Sequence, residues 1–364
     1  MASDNLALLD IAVAHPFVGN EAHAIPASQR FLAQSVSLVV GLAFVVMLGL
    51  EADSARAQTS ARPPDLMKLP PIINLGATTF RDGFLPTNPG CAYFQYFRRN
   101  SWNEIHDKDG HDVAAFKRLD IEATAGASQL ACATPIKIFA GTLGFETLVP
   151  IANLSSSSNP SGIVLQDNGF GLGDIFFATY LQMPPVMQNG RPIYSQRFEL
   201  TFIAPVGKFD SDKDLNQGSG YWSVNPYWAA TWFPLPKWEL TWRAHYLYNF
   251  PTTNIATSLV PNVQDLFKSG QAGQAAWVNF TLGYAVTGKA SIGLTGYYLR
   301  QLTDDQLNGR SYSGGKEEAL YMGPGFHYEF NAKNAMNINV YLPVDDENRP
   351  SGGFQFNLVY GHIF

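Results

Sequence analysis

The stretch WELTWRAHYLYNF, from Trp238 to Phe250, alternates between two kinds of side chain. Aromatic and small apolar groups occupy every second position, and the positions between them include Glu239, Arg243 and His245. A period of two is typical of a β-strand, because successive side chains of an extended chain point to opposite faces of the sheet. A soluble sandwich would bury an aliphatic face. A face of wide rings opposite a charged face is instead typical of an outer-membrane barrel.

Composition favours the membrane interpretation. Hydrophobic residues make up 46% of the 364 residues and charged residues only 15%, against roughly 25% in soluble proteins. The mean hydropathy of -0.06 excludes a bundle of membrane helices but fits a barrel whose strands are half lipid-facing. The net charge of -6 and the lack of a basic cluster argue against a nucleic-acid partner.

The N-terminal region predicts export. The apolar run from Ser35 to Leu50 follows Arg30 and precedes the small-residue triplet Ala55-Arg56-Ala57, and these are the three parts of a secretory signal. We therefore expect a signal peptide with a long leader over residues 1–57, followed by a periplasmic N-terminal segment over residues 58–90. A retained membrane anchor is the alternative.

Alternating runs recur through residues 91–364, about twelve in all, and are joined in turn by short turns and long polar loops. An even strand number with connections of alternating length is typical of outer-membrane barrels, with the short turns in the periplasm. Short turns are predicted at Thr134-Pro135, PLPK, TGK and NAKN, while the connection Met183–Pro192 is longer than expected. The predicted fold is all-β, a transmembrane antiparallel up-and-down β-barrel of about 12 strands in the bacterial outer membrane.

Aromatic residues recur at a spacing that suits a membrane. Trp222 and Trp232 lie ten residues apart on one face, and Trp238 and Tyr248 repeat this spacing on the next strand. Ten residues at ~3.3 Å each, tilted by ~40°, span about 25 Å of membrane normal. We predict an aromatic girdle at each interface, in contact with membrane lipid and lipopolysaccharide. The terminal Phe364 resembles the signal read by the barrel-assembly machinery, which is therefore an expected partner.

Two cysteines follow the predicted signal, Cys91 at the start of strand one and Cys132 at the end of strand two. Exported proteins fold in an oxidising compartment, where paired cysteines form disulfides. The predicted topology puts both residues at the periplasmic rim, and the alternation puts both on the lumen face. We predict a disulfide between them.

The order of local motifs resembles that of a known family. The matching pieces are NLGATTFRDGF (Asn74–Phe84), KIFAGTLGFETLVPIANL (Lys137–Leu154), GFGLGDIFF (Gly169–Phe177), APVGKFD (Ala204–Asp210), GYWSVNPYWAATW (Gly220–Trp232), TGYYLRQLTDD (Thr295–Asp305) and NRPSGG (Asn348–Gly353). Across essentially the whole mature chain, they are similar to outer-membrane β-barrels assigned to the MetA pathway of phenol degradation and regarded as transporters. The resemblance implies a barrel that admits hydrophobic or aromatic compounds, and it carries over no catalytic residues.

The polar faces of the strands define the predicted lumen. Its predicted lining residues are Arg118, Asp120, Glu122, Glu146, Asp174, Arg197, Glu199, Glu239, Arg243, His245, His327, Glu329, Tyr227, Tyr297 and Tyr321. Tyrosines among charges suit a small aromatic solute, since rings can stack while hydroxyl groups find hydrogen-bond partners. We expect passage of phenol-like compounds across the outer membrane. The segment 58–90 either lies within the barrel as a plug or extends into the periplasm.

Catalysis is not expected from the sequence. No lumen serine or cysteine is placed to act as a nucleophile beside His245. The acids Asp210, Asp212 and Asp214 lack the glycine and distal glutamate of a calcium-binding EF-hand. We therefore expect no catalytic residue, no cofactor and no metal. Two alternatives stay open, an outer-membrane lipid-modifying enzyme and a closed structural barrel.

Overall fold

The alternating runs of the sequence form twelve long strands in the computed structural model, which describes residues 66–116, 119–158 and 163–364. The barrel strands are β1 Gly90–Trp102, β2 Leu119–Ile138, β3 Gly141–Ser158, β4 Ile175–Gln182, β5 Arg191–Ala204, β6 Ser223–Leu235, β7 Trp238–Asn249, β8 Ala275–Ala285, β9 Ala290–Gln301, β10 Glu318–Asn331, β11 Asn334–Glu347 and β12 Phe354–Ile363. Each pairs antiparallel with its neighbours in sequence, and β1 also pairs with β12, from Ala92↔Ile363 to Ser101↔Phe354. This closes the sheet, so the predicted fold is confirmed. The predicted signal peptide lies outside the described residues.

Shorter elements lie in the connections between barrel strands. They are the strands Glu104–Ile105, Phe170–Leu172, Val186–Gln188, Gly270–Gln271, Asp305–Leu307, Arg310–Tyr312 and Pro350–Ser351, the helix α1 Val263–Leu266 and the 3-10 turn Ala114–Phe116. No helix within the described ranges has the length and apolar character needed to cross a membrane.

Side-chain burial separates the two faces of the wall. In β7, Glu239, Arg243 and His245 are buried, whereas Trp238 and Tyr246 are exposed on the opposite face. The outer face is a band of exposed apolar side chains, which in water would be unfavourable at this extent. Such a band is expected where the wall contacts hydrocarbon.

Short turns join strands at one end of the barrel and long loops at the other. The turns β6–β7, β8–β9 and β10–β11 lie at PLPK, TGK and NAKN as predicted. In outer-membrane barrels the short turns face the periplasm, and the two ends are named periplasmic and extracellular accordingly.

The turn between β2 and β3 differs from the prediction at Thr134-Pro135, which is wrong. The strand continues to Ile138, and Phe139-Ala140 form the turn with positive φ angles at both residues. The pairing register shifts within Ala133–Lys137, which places the proline in a bulge. A proline is tolerated there because its missing N–H interrupts no regular ladder bond.

The long connection Met183–Pro192 is an extension of the wall. Val186–Gln188 pairs with the start of β5 across Asn189-Gly190, both of which have positive φ. An Asn-Gly pair in this conformation is favoured in two-residue hairpin turns. The connection is therefore a β-hairpin at the periplasmic end.

A disulfide joins Cys91 and Cys132, which are directly opposite each other in the β1–β2 ladder. Both face outwards, because the adjacent Ala92 and Ala131 are the buried residues of these strands. The prediction that the cysteines face the lumen is wrong. Their strands carry Ala, Gly and Ser on both faces near this end, so the sequence shows no clear alternation there.

Replacing both cysteines by serine should lower the temperature at which the barrel unfolds. The bond links residues 41 apart in sequence, and a closed loop of that length stabilises a fold by about 3–4 kcal/mol through loop entropy. We expect the C91S/C132S variant to fold and to lose its compact band in heated detergent gels at a lower temperature than wild type. An unchanged transition would show that strand pairing alone fixes this end.

Candidate functional site

The lumen of the barrel is occupied by the chain's own N-terminal residues. Residues 66–89, the luminal segment, run from the extracellular end to the periplasmic end, where β1 begins. Leu66 packs with Ile255 beneath the extracellular loops. At the other end, the carbonyl oxygen of Thr87 accepts a hydrogen bond from Lys137 Nζ at 2.8 Å. The described part of the predicted periplasmic segment therefore lies inside the barrel.

Aromatic residues of the wall hold the middle of the luminal segment. Leu75 packs in a buried cluster with Trp277. The Trp277 Nε1–H group donates to the Asn74 carbonyl at 2.7 Å, and the Tyr341 hydroxyl donates to the Gly76 carbonyl at 2.8 Å. The lumen tyrosines Tyr297, Tyr321 and Tyr341 are all fully buried in this cluster. These tyrosines therefore pack against apolar residues of the luminal segment.

Asp82 anchors the luminal segment through buried ion pairs. Its carboxylate accepts two hydrogen bonds from the Arg243 guanidinium, one of them from Nε at 2.6 Å. Arg197 Nη2 lies 3.7 Å from the same carboxylate. The three side chains are only 9%, 8% and 3% exposed, in the order Asp82, Arg243, Arg197. A buried guanidinium without its carboxylate partner is strongly unfavourable. The negative charge of the luminal segment therefore offsets buried positive charge of the wall at this point.

Arg81 binds the wall at β7 and β10. Its guanidinium pairs with Glu329, and its backbone N–H donates to Glu239 Oε1 at 2.5 Å. The ring of the adjacent Phe80 stacks on His327 at 5.8 Å between centroids. Three residues predicted to line the lumen thus hold the luminal segment in place.

Gly83 brings the backbone of the segment against the wall. A Cβ atom at this position would lie 2.5 Å from both the Ser195 carbonyl oxygen and the Thr231 nitrogen. The Gly83 N–H donates to Thr231 Oγ1 at 3.0 Å, and its carbonyl accepts from Ser195 Oγ at 2.8 Å and Gln182 Nε2 at 3.0 Å. Only glycine can make this close approach.

A cavity of about 100 Å³ remains between the luminal segment and the wall. Its apolar lining includes Ile72, Leu148 and Phe176, and its polar lining includes Glu146, Glu199, Tyr227, Arg243 and His245. Apolar cavities of ~150 Å³ in proteins bind benzene. The space is about two-thirds of that volume and has an apolar and a polar side.

His245 presents a hydrogen-bond acceptor in the lining of this cavity. Asn225 Nδ2 donates to the Tyr246 carbonyl at 2.7 Å, which leaves Asn225 Oδ1 to accept from His245 Nδ1–H at 3.0 Å. The ring stacks on Trp277 at 4.2 Å with an interplanar angle of 11°. In the neutral ring Nε2 then carries the lone pair. This nitrogen is buried and has no hydrogen-bond partner among the described residues.

The surroundings of His245 suit binding better than hydrolysis. Its ring contacts Asn225, Trp277 and Tyr227. A hydrolase requires a serine or cysteine nucleophile within hydrogen-bond distance of the base, and none of these three neighbours can take that role.

Residues 103–358 match the family model for the MetA-pathway of phenol degradation. The chain belongs to this family. The predicted resemblance is confirmed over β2 to β11 and the first part of β12, while β1 and the luminal segment precede the matched residues. No curated protein sequence matches the chain.

The solved structures to which the chain is similar include outer-membrane proteins. An outer membrane channel from Pseudomonas putida F1 is 17% identical with a TM-score of 0.64, over 84% of this chain and 100% of that one. The β domain of the Bordetella autotransporter BrkA is 12% identical (TM-score 0.41, 76% and 100% covered), and a FadL homologue from Pseudomonas aeruginosa is 10% identical (TM-score 0.38, 76% and 90% covered). The family, the fold and the apolar outer wall place the protein in the bacterial outer membrane.

Most residues predicted to line the lumen point into the barrel. Those on the inner face are Glu146, Arg197, Glu199, Tyr227, Glu239, Arg243, His245, Tyr297, Tyr321, His327 and Glu329. Arg118 lies outside the described residues. Asp174 is buried under the extracellular loops, where Gly207 and Ser219 donate backbone N–H groups to its carboxylate at 3.0 and 2.8 Å.

Asp120 and Glu122 face outwards, and their predicted lumen position is wrong. Their neighbours Leu119 and Ile121 are the buried residues, at 1% and 2% exposure. Glu122 instead pairs with Arg99 at 2.5 Å on the outer surface. These charges lie at the extracellular end of β2, beyond the apolar band, where water solvates outward charges.

The predicted girdle residues all lie on the outer face of the barrel. Trp222, Trp232 and Trp238 are 51%, 40% and 39% exposed, and Tyr248 is half-buried. Their alignment with the membrane interfaces stays a prediction. Phe364 is 66% exposed, and its N–H donates to the Cys91 carbonyl at 3.0 Å, beside the seam where the barrel closes.

Sequence reasoning missed the residues of the luminal segment that bind the wall. These are Asn74, Arg81, Asp82 and Gly83, which all fall within the quoted block NLGATTFRDGF. The signal was an Arg-Asp-Gly triplet between two phenylalanines. A charged pair followed by glycine in an apolar context is consistent with buried ion pairs and a close backbone contact.

Proposed function

We propose that the barrel passes small hydrophobic or aromatic compounds, and phenol-like solutes in particular, across the outer membrane. The luminal segment acts as its gate. The observation that carries this proposal is the two-sided cavity beside the segment, which is lined by His245, whose Nε2 is buried and has no hydrogen-bond partner within residues 66–116, 119–158 and 163–364.

The chemistry of the cavity favours a ring that bears one hydroxyl group. The ring would contact the side formed by Ile72, Leu148 and Phe176. The hydroxyl would donate to His245 Nε2, and such a bond satisfies a nitrogen that is otherwise buried at a cost. A sugar or an inorganic ion would leave the apolar side without contacts, so neither fits as well.

The contacts of the luminal segment suit a gate. Residues 66–89 belong to none of the paired strands, and they bind the wall through side chains and single hydrogen bonds. A segment outside the strand ladder can open locally at a lower free energy than the sheet. Its displacement would leave every barrel strand paired.

Uptake measurements test the proposed function directly. Cells with and without the protein take up labelled phenol at a low external concentration, where diffusion through general porins limits entry. We expect faster uptake in the cells that make the protein. Equal uptake would contradict the proposal and support a closed structural barrel, and hydrolysis of lipids or esters by the purified protein would support an enzyme.

His245→Leu should reduce the preference for hydroxylated rings. The variant keeps an apolar side chain of similar reach but removes the acceptor, and one neutral hydrogen bond is worth about 0.5–1.5 kcal/mol, or roughly two- to tenfold in affinity. We expect uptake of phenol to fall by this factor while uptake of toluene is unchanged, measured in competition.

His362→Leu is the matched control for this experiment. His362 also contacts an asparagine oxygen through Nδ1, at 2.8 Å from Asn334, but it lies near the C-terminus and outside the cavity lining. Equal losses of phenol and toluene uptake in His245→Leu would show that the imidazole does not select the hydroxyl group.

A further inference from the structure

A second group of polar side chains lies outside the lumen, where the first extracellular loop meets β11. His106 is surrounded there by the carboxylates of Glu104, Asp112 and Asp346. The loop is held in place by its backbone, since the His106 N–H donates to the Arg349 carbonyl at 3.0 Å. The main chain at His106 is thus fixed independently of its side-chain partners.

Asp346 orients the imidazole from behind. Its side chain is 1% exposed, and its Oδ1 lies 2.5 Å from His106 Nδ1. Its Oδ2 accepts hydrogen bonds from the Tyr321 hydroxyl at 3.1 Å and from Ser351 Oγ at 2.6 Å. The backbone carbonyl of Asp346 accepts the hydrogen bond from His106 Nδ1–H at 3.2 Å, which leaves the lone pair on Nε2. This is the arrangement found behind metal-bound histidines, where it fixes the tautomer and increases the basicity of the ligand.

The distances on the other side of the ring fit a shared metal ion. Glu104 Oε2 and Asp112 Oδ1 lie 3.5 and 3.2 Å from His106 Nε2, and the three ligand atoms are all within 4.8 Å of one another. Ligands bound at about 2.0–2.1 Å to a tetrahedral zinc ion are ~3.3–3.4 Å apart. Charge-assisted hydrogen bonds are shorter, at about 2.7–2.9 Å. The two distances from His106 Nε2 are close to the edge length of such a tetrahedron.

We propose that Glu104, His106 and Asp112 bind one Zn²⁺ ion at the extracellular mouth of the barrel, with Asp346 as the orienting carboxylate. One imidazole nitrogen and two carboxylate oxygens are a typical zinc ligand set, and three protein ligands leave a fourth position open to water or to a group from outside the cell. Calcium and magnesium would require six or more oxygen ligands and would exclude the imidazole.

Zinc titration of the full-length protein in detergent tests this site. A chromogenic chelator competes for Zn²⁺, and we expect one zinc ion to be held per chain. Asp112→Asn should weaken binding at least tenfold, and its side chain is 62% exposed, so the fold should not be disturbed. His106→Gln should abolish binding, and Asp346→Asn should weaken it by roughly 10–100-fold. Co²⁺ in place of zinc should give the visible absorption of a tetrahedral site.

Asp109→Asn is the matched control, since Asp109 belongs to the neighbouring exposed group Asp107, Asp109 and His111. This variant should bind zinc as wild type does. Less than one zinc ion per chain, or equal affinity in wild type and Asp112→Asn, would overturn the proposal. A loss caused by Asp109→Asn and not by Asp112→Asn would overturn it as well.

Discussion

Asp82→Ala should increase the ion conductance of the barrel. The substitution leaves the buried guanidinium group of Arg243 without its carboxylate partner, whereas Arg197 keeps Glu199 at 3.3 Å. Removal of one partner of a buried ion pair costs about 3–5 kcal/mol. We expect frequent and long openings of the variant in planar bilayers and rare openings of the wild type.

Asp212→Ala provides the control, because Asp212 is an exposed residue of an extracellular loop. It should conduct as wild type does. If Asp82→Ala inserts as a folded barrel and stays as closed as wild type, the ion pair with Arg243 does not hold the luminal segment in the lumen.

Gly83→Ala should open the lumen by a different physical cause. The added Cβ would lie 2.5 Å from two backbone atoms of the wall, at Ser195 and Thr231, and strand backbone cannot move aside. The luminal segment must therefore shift and lose the three hydrogen bonds that Gly83 makes with the wall. We expect liposomes that contain this variant to swell several times faster than wild type in a small hydrophilic sugar.

Gly126→Ala is the matched control for that variant. A Cβ at Gly126 would meet its nearest atom, on Ile151, at 3.6 Å, which is an ordinary contact. Swelling at the wild-type rate in Gly83→Ala would show that the segment tolerates displacement without opening a path. Agreement between Asp82→Ala and Gly83→Ala would identify the luminal segment as the gate, because one removes an attraction and the other adds a steric conflict.

The sequence predicted the wall of the barrel well because a strand with one apolar and one polar face fits the wall in only one orientation. In β7, rings alternate with Glu239, Arg243 and His245, and the structure shows both faces as predicted. The same pattern located all twelve barrel strands in the described part of the chain. Strand β2 was misassigned because Ala, Gly, Ser and Thr fit either face, and its charged residues Asp120 and Glu122 lie beyond the apolar band.

The position of the luminal segment could not be predicted because it depends on contacts between residues distant in sequence. Asp82 and Arg243 are 161 positions apart. No local sequence pattern around either residue identifies the other as its partner. The luminal segment has no period of two or of 3.6. The cavity beside His245 depends in turn on this segment, so its existence follows from the fold and not from any one motif.

The seam between β1 and β12 bears on how the molecule is assembled. β1 follows directly after the luminal segment, and its pairing with the last strand completes the ring. A curling sheet can therefore wrap around chain that already lies across its concave surface, and no free end needs threading lengthwise through a finished cylinder. Arg81 and Asp82 can meet their partners while water still reaches them, before the last strand excludes it.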